Sequence, residues 1–315
     1  MTARILGLHH VTATVDDAQA DLDYCLDALG LRLVKKTVNF DNHHVYHFYY
    51  GDAAGTPGTI WTTFPYRGHG VRTGVKGAGQ VTATSFSVPA ASIAWWRERL
   101  ASEGVDHLGA ASRFGEDVLT MDDPSGLRME LIGSANDVRQ GWTFGGVGAE
   151  AAIHGLHSVT MTLAAPGPSV AFMERWLGFG LEQSSPDRLR LGVNGGGPGR
   201  TVDIAIAPQA TPAVNGLGTV HHVAMAIGSA EEQLELREAL VAAGVRVTEV
   251  RDRQYFLSIY FREPGGVLFE VATMKPGFAV DEAPEALGRE LKLPPWEEPY
   301  RTTIEAGLDR VSYRA

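Results

Sequence analysis

Leu-His-His-Val-Thr at residues 8–12 returns far along the chain as Val-His-His-Val-Ala at residues 220–224. Each stretch places two adjacent histidines among apolar or β-branched residues, a composition that favours a strand. Each is also followed by an acidic helix start and then by a helical spacing of apolar residues. Similarity between distant segments is the mark of an internal repeat, so these two stretches indicate that the fold is built from copies of one unit.

The repeated unit contains one strand, one helix and three further short strands. It occurs four times along the chain, at residues 5–65, 80–132, 155–208 and 218–274. Helical spacing predicts one helix in each unit, at residues 18–29, 91–103, 168–177 and 230–243. Glycine-rich stretches at 67–79 and 133–152 separate the units, and such composition favours connecting loops.

The pattern predicts an α+β fold in which four βαβββ modules form two curved mixed-sheet cups. We predict an N-terminal domain at 1–140, containing the first two modules, and a C-terminal domain at 150–280, containing the last two. The proline-containing tail at 281–315 is predicted to pack on the surface, with a short helix near 303–306.

Composition excludes several classes of partner. The chain has 315 residues, 44% hydrophobic and 20% charged, with a net charge of −10. An acidic protein is a poor match for nucleic acid or an anionic membrane. Cys25 is the single cysteine, so nothing favours an oxidising compartment. No basic start followed by an apolar run and no apolar run of roughly 20 residues occurs. We therefore predict a cytoplasmic protein without a nucleic acid or membrane partner.

The four copies can be compared with one another at two positions. The position of His10 on the first strand is held in the later copies by Ala83, Ser158 and His222. The position of Glu270 on the last strand is held in the earlier copies by Thr62, Glu130 and Asp203. Imidazoles therefore occur only in the first and last copies, which are predicted to share one cup.

His10, His222 and Glu270 form a candidate facial triad for a divalent metal. Two neutral imidazoles and one carboxylate suit first-row metals and leave one face of the ion open. Thr62, a neutral hydroxyl, stands where a fourth ligand would lie and would bind weakly. The second and third copies lack imidazole at these positions, so their cup is predicted to be metal-free, with Glu130 paired to a basic residue of its own sheet.

Several segments resemble the vicinal oxygen chelate superfamily of glyoxalases, bleomycin-resistance proteins and extradiol dioxygenases. The resemblance is closest to hydroquinone-type ring-cleaving dioxygenases and covers almost the whole chain. It is carried by Gly-Leu-Arg-Leu-Val-Lys-Lys-Thr-Val-Asn-Phe-Asp at 30–41, Arg-Asp-Arg-Gln-Tyr-Phe at 251–256, Pro-Gly-Gly-Val-Leu-Phe-Glu at 264–270 and Leu-Gly-Arg-Glu-Leu-Lys-Leu-Pro-Pro at 287–295.

The resemblance implies that the metal is iron, held by the same three residues that the repeat comparison selects. It also implies a surrounding set of residues, namely His9, Thr12, His221, Arg253 and Tyr260. Tyr260 and His221 are the candidates for proton transfer, and Arg253 is the candidate for orienting substrate. Alternation along a strand nevertheless places His9 and His221 on the face opposite the triad.

The expected activity is insertion of O2 into a hydroquinone- or catechol-type ring by non-haem Fe(II). Mn, Zn or Ni could replace iron in a purified sample, and a homo-oligomer is compatible with the sequence. One alternative is a glyoxalase-like metal-dependent lyase or isomerase, which would need a fourth ligand where Thr62 stands. The other is a binding protein of the bleomycin-resistance kind, which leaves the triad without a role.

Overall fold

The computed structural model describes residues 5–314, in which all four units take the order strand, helix, three strands. The first unit contains β1 Ile5–Val15, α1 Ala18–Asp23, β2 Arg32–Asn39, β3 Asn42–Gly51 and β4 Ile60–Pro65. The second contains β5 Gln80–Pro89, α2 Ile93–Ser102, β6 His107–Arg113, β7 Glu116–Asp122 and β8 Arg128–Ser134. The third contains β9 Gly155–Leu163, α3 Gly167–Phe172, β10 Gly180–Ser185, β11 Arg188–Gly192 and β12 Thr201–Ile206. The fourth contains β13 Thr219–Ile227, α4 Ala230–Ala242, β14 Arg251–Asp252, β15 Phe256–Arg262 and β16 Leu268–Pro276.

The sixteen strands found in residues 5–314 form two eight-stranded sheets. One sheet joins the fourth and first units in the order β14-β15-β16-β13-β1-β4-β3-β2, and the other joins the third and second in the order β10-β11-β12-β9-β5-β8-β7-β6. At the centre of the first sheet, β1 and β13 run antiparallel to each other. The predicted α+β fold and the pairing of first with last copy are confirmed. The proposed division into sequential domains at 1–140 and 150–280 stays a prediction.

The strand register tests the comparison of the copies. On the first strand of each unit, we take the residue two positions after the equivalent of His10. In every unit this residue pairs with the last-strand residue that is equivalent to Glu270. The pairs are Thr12 with Thr62, Ser85 with Glu130, Thr160 with Asp203 and Ala224 with Glu270. The four copies therefore have the same register, and the residue equivalences read from the sequence are confirmed.

The first helix shows why these segments fold where the sequence predicts. The Asp17 side chain accepts a hydrogen bond from the Ala20 backbone N–H at the start of α1, which satisfies a donor that the helix leaves free. The helical path continues to Ala28 through a wider π-type turn. Leu22 and Cys25 are fully buried, as expected from the predicted apolar face of 18–29.

The tail lies against the first sheet. Its side chains Leu287, Leu293 and Ile304 are buried, as is Phe278 just before it. A short helix, α5, occupies Arg301–Gly307, where one was predicted near 303–306. The fully buried ammonium of Lys35 donates to the carboxylates of Asp281 and Glu282. A buried charge is tolerated only when it is paired, so this ion group fixes the tail to the sheet.

Across residues 5–314, no helix has both the length and the apolar character needed to cross a membrane.

Candidate metal centre

His10, His222 and Glu270 meet at the centre of the first sheet because their strands are neighbours. β1 carries His10, the adjacent antiparallel β13 carries His222, and β16 beside it carries Glu270. The Nε2 atoms of the two histidines lie 3.3 Å apart. Glu270 Oε2 lies 2.8 Å from His222 Nε2 and 3.3 Å from His10 Nε2. Each residue thus offers one potential ligand atom, and these three atoms all lie within 4.8 Å of one another.

The contacts of Glu270 fit a metal better than a hydrogen-bonded cluster. Its Oε1 accepts a hydrogen bond from the Ser258 hydroxyl. Its Oε2 is buried, and no donor in residues 5–314 meets it with hydrogen-bond geometry. Burial raises the pKa of Glu270, but positive charge on the facing His10 and His222 outweighs it and holds that pKa well below its usual value; a bound cation would supply the same positive charge while both imidazoles stay neutral. An ionised, buried oxygen without a hydrogen bond is a rare and costly arrangement, which a cation among these three atoms would resolve.

His9 controls which nitrogen of His10 carries a proton. His9 Nε2 lies 3.2 Å from the Thr273 carbonyl oxygen, which can only accept, so that nitrogen carries the hydrogen. His9 Nδ1 is then an acceptor, and it lies 2.9 Å from His10 Nδ1. His10 therefore donates from Nδ1, and its Nε2 presents a lone pair to the triad. Outer hydrogen bonds of this kind orient metal-binding histidines in many proteins.

The second histidine pair repeats the arrangement. His221 Nδ1 lies 2.7 Å from His222 Nδ1. If His222 presents its Nε2 lone pair to a cation at the triad, its Nδ1 is the donor and His221 Nδ1 the acceptor, which leaves the hydrogen of His221 on Nε2. Burial lowers the pKa of His221 to about 3, so this imidazole is neutral at physiological pH. Alternation indicated the opposite face for His9 and His221, yet both rings reach back to the triad histidines.

A cavity of about 220 Å³ opens beside the three residues. Its lining residues come from both units of the first sheet, and ten of the sixteen carry a ring, of which six are phenylalanine or tyrosine and four are histidine. The triad is joined in lining it by Thr12, Thr14, Asn39, Phe40, Asp41, His47, Tyr49, Phe64, Tyr66, His221, Arg253, Phe256 and Tyr260. Aromatic walls with a few convergent polar groups are typical of a site for a small organic ligand.

Tyr260 and Arg253 form a polar edge of this cavity. Tyr260 is paired across the sheet with Glu270, which brings its ring beside His222, with 5.7 Å between ring centroids. Arg253 donates from Nε to the Tyr260 hydroxyl oxygen at 3.1 Å. Burial raises the pKa of Tyr260 above its usual value, so the phenol is protonated and can donate a hydrogen bond.

Thr12, Thr62 and His47 form a chain that sequence reasoning found only in part. The Thr62 hydroxyl donates to Thr12 Oγ1 at 2.8 Å, and His47 Nε2 lies 2.9 Å from the Thr62 oxygen. Since Thr62 has given its hydrogen to Thr12, His47 donates from Nε2 and is left with an acceptor at Nδ1. Alternation along β3 places His47 and Tyr49 on one face, a signal that could have identified both as cavity residues.

Known proteins resemble this chain along almost its whole length. Residues 155–271 match the profile of the Glyoxalase/Bleomycin resistance protein/Dioxygenase superfamily. A Bacillus subtilis protein, MhqO, whose name provisionally ascribes ring-cleaving dioxygenase activity to it, is 41% identical over 98% of this chain and 97% of its own. The chain belongs to this superfamily. Chlorohydroquinone/hydroquinone 1,2-dioxygenase of Sphingobium indicum is 37% identical over 93% of this chain and 92% of its own length.

Two solved structures have the same overall fold as this chain. A crystal structure of a Bacillus subtilis protein, described provisionally as a dioxygenase, has a TM-score of 0.94 and 40% identity, covering 99% of each chain. Glyoxalase I from maize has a TM-score of 0.63 at 16% identity, covering 85% of this chain and 92% of its own, which shows a shared fold. Superfamily membership and the His-His-Glu donor set together imply a divalent metal.

The second cup of this superfamily member is filled by ion pairs instead. Glu130 accepts from both terminal nitrogens of Arg113, at 2.7 and 2.6 Å, as the predicted pairing with a base of its own sheet requires. Asp203, fully buried, accepts from Arg190 Nε at 2.8 Å. Burial raises the pKa of Glu130, but Arg113 more than offsets it and lowers that pKa below its usual value. Guanidinium groups thus occupy the position where a cation could otherwise enter.

Proposed function

We propose that this protein is a ring-cleaving dioxygenase that opens a hydroquinone- or catechol-type ring with O2, using Fe(II) held by His10, His222 and Glu270. The observation that carries the proposal is the convergence of two imidazole nitrogens and one hydrogen-bond-free carboxylate oxygen at the wall of an aromatic cavity. The names of the relatives at 37–41% identity support the reaction class.

The triad leaves the cavity side of the site free for ligands. Ferrous ion, when bound there, would supply adjacent positions for a phenolate and for O2 and would pass electron density between them. Thr62 stands at the fourth equivalent position, and its hydroxyl is already engaged with Thr12 and His47. This engagement supports the dioxygenase over a glyoxalase-like lyase or isomerase, because the latter would need a fourth protein ligand.

Two groups in the cavity are suited to donate hydrogen bonds to a developing oxyanion. The Tyr260 hydroxyl is protonated, and the Arg253 guanidinium donates to its oxygen, which makes the phenol a stronger donor. His221, by the tautomer derived above, presents Nε2–H. Preorganised donors of this kind stabilise charge that appears during reaction.

His47 is the group best placed to accept the proton that a substrate hydroxyl loses. It lines the cavity, and its Nε2–H is directed to Thr62, so its Nδ1 offers a lone pair. Burial, followed by the proximity of His10 and His222, lowers the pKa of His47 well below its usual value. The imidazole is therefore neutral before substrate binds, and because it is also a weak base, it would take the proton only from a hydroxyl made more acidic by a bound cation.

Oxygen uptake tests the proposal directly. Protein loaded anaerobically with Fe(II) is expected to consume one O2 for each hydroquinone or catechol, giving an open-chain product whose mass includes both oxygen atoms. An oxygen electrode and mass spectrometry with ¹⁸O2 would measure both quantities. Absence of uptake over a broad panel of phenols, together with turnover of a thiol adduct of methylglyoxal, would contradict the proposal in favour of the lyase.

Substitution of His9 tests the hydrogen-bond chain from Thr273 to the metal site. Replacing His9 with phenylalanine removes the acceptor for His10 Nδ1–H, so the orientation and tautomer of His10 lose their support. We expect metal affinity to fall about 10- to 100-fold, the range seen for such outer partners, with the fold retained. Competition with a metal-indicator dye would measure the affinity, and circular dichroism would check the fold. Unchanged affinity in a folded variant would show that the chain has no role.

A further inference from the structure

The mouth of the cavity carries an ion group that joins the first and last units. Asp41 lies in the turn between β2 and β3, and one of its carboxylate oxygens accepts a hydrogen bond from Arg253 Nη2 at 2.9 Å. Its other carboxylate oxygen accepts a hydrogen bond from Arg251 Nη1 at 3.1 Å. The Arg253 side chain is 16% exposed, whereas Asp41 is 56% exposed. The carboxylate therefore lies at the opening, between solvent and the inner guanidinium.

The charged side chains that line the cavity already have partners, so none is left to pair with a charged substituent on the substrate ring. Among the residues that line the cavity, the carboxylates are Asp41 and Glu270, and the guanidinium is Arg253. Glu270 leaves one positive charge on a bound dication, which one phenolate would neutralise. Asp41 pairs with Arg253 inside the lining and also with Arg251, which lies outside the lining. Within residues 5–314, Arg253 has no other carboxylate partner, so no unpaired cation in the lining remains for a second anionic group.

The contacts of Arg253 also limit how it could recognise an anion. Guanidinium binds a carboxylate best through two parallel N–H donors. Arg253 uses Nε for the Tyr260 hydroxyl and Nη2 for Asp41, so both atoms of that edge are engaged. A carboxylate on the substrate ring would have to displace Asp41 while lying close to its negative charge, and like charges at short distance are a common means of rejecting a wrong ligand.

We propose that Asp41 sets the charge selectivity of this site, favouring aromatic diols with uncharged substituents over those that carry a ring carboxylate. This inference rests on the proposed function for the identity of the aromatic ligand. Asp41 acts through Arg253 and through its own charge at the mouth, and it is a specificity-determining residue that takes no part in bond breaking. Loss of its charge would convert Arg253 into a carboxylate receptor.

Binding to metal-free protein provides a test that does not depend on turnover. Hydroquinone and 2,5-dihydroxybenzoate share one diol ring and differ by one carboxylate, and calorimetry would measure the affinity of each. In Asp41→Asn, we expect 2,5-dihydroxybenzoate to bind about tenfold tighter than in the unaltered protein, the effect of about one charge-assisted hydrogen bond. Hydroquinone affinity should change much less.

Two further variants separate the inference from a general change in charge. In the double variant Asp41→Asn with Arg253→Gln, the tighter binding of 2,5-dihydroxybenzoate should be lost, because the guanidinium that would bind its carboxylate has been removed. Asp16→Asn, which alters an exposed carboxylate paired with Arg67 outside the cavity lining, should leave both affinities unchanged. An equal change for both ligands in Asp41→Asn, or no change, would overturn the inference even if hydroquinone is cleaved. A selective gain without oxygen uptake by the iron-loaded enzyme would overturn the proposed function alone.

Discussion

Replacement of His222 with alanine is expected to abolish iron binding and, with it, oxygen uptake. The substitution removes one of three ligands and leaves Glu270 Oε2 without its nearest contact, at 2.8 Å. Loss of an outer partner alone costs up to about 100-fold in metal affinity, so loss of a direct ligand should exceed that. Iron analysis of anaerobically purified protein should fall from about one ion per chain to none, and His10→Ala and Glu270→Gln should behave alike.

The second cup provides a matched control for this result. Glu130→Gln changes a buried carboxylate at the position equivalent to Glu270, but its partner is Arg113 and not a pair of histidines. Iron content and oxygen uptake should stay close to those of the unaltered protein. Full iron occupancy in all three triad variants would place the metal elsewhere, and loss of half the iron in Glu130→Gln would reveal two sites.

Breaking the ion network of the second cup should cause the largest loss of stability. Arg190→Met removes the guanidinium that lies 2.8 Å from the fully buried Asp203. Removing one partner of a buried pair costs about 3–5 kcal/mol, because the remaining charge has lost its compensation. Arg188 lies 3.4 Å from Asp203 and can compensate in part, so we expect about 3 kcal/mol. Urea unfolding would measure the shift in midpoint.

A double variant distinguishes a lost charge partner from lost packing. Adding Asp203→Leu to Arg190→Met removes both charges, and buried pairs replaced by apolar residues are often neutral in stability, so most of the loss should be recovered. Arg128→Met, which breaks an exposed pair with Asp122, should cost less than about 1 kcal/mol. A double variant as unstable as Arg190→Met would show that the side-chain volume of Arg190, and not its charge, stabilises this cup.

The sequence was sufficient for the arrangement of the repeats. Because side chains alternate along a strand and the copies share one register, matching the first and last strands was enough to select His10, His222 and Glu270 as neighbours. The same comparison indicated that Glu130 lies in a separate cup and pairs with a base. These inferences depend only on local pattern and on equivalence between copies, both of which one sequence contains.

Contacts made by irregular backbone and by distant segments were beyond sequence reasoning. The pairing of β1 with β13 shifts register between Leu8 and His10, and regular alternation did not predict the contact of His9 with His10. The pairing of Asp41 with Arg253 joins a turn to a strand in another unit, and no local pattern indicates which of several exposed carboxylates makes it. The burial of Lys35 likewise depends on where the tail happens to lie.

The distribution of the strands between the two sheets determines when each sheet can form during synthesis. Every strand of the second sheet, which contains Glu130 and Asp203, lies between Gln80 and Ile206. The first sheet, which contains the three candidate metal ligands, combines β1–β4 from the start of the chain with β13–β16 from near its end. During synthesis, all strands of the second sheet are therefore available before Glu270 has been added to the chain. His10 is synthesised early and meets its partner ligands only after the fourth unit is complete. The three-residue site can be completed only when almost the whole chain has been synthesised, so a chain terminated before Glu270 would lack it.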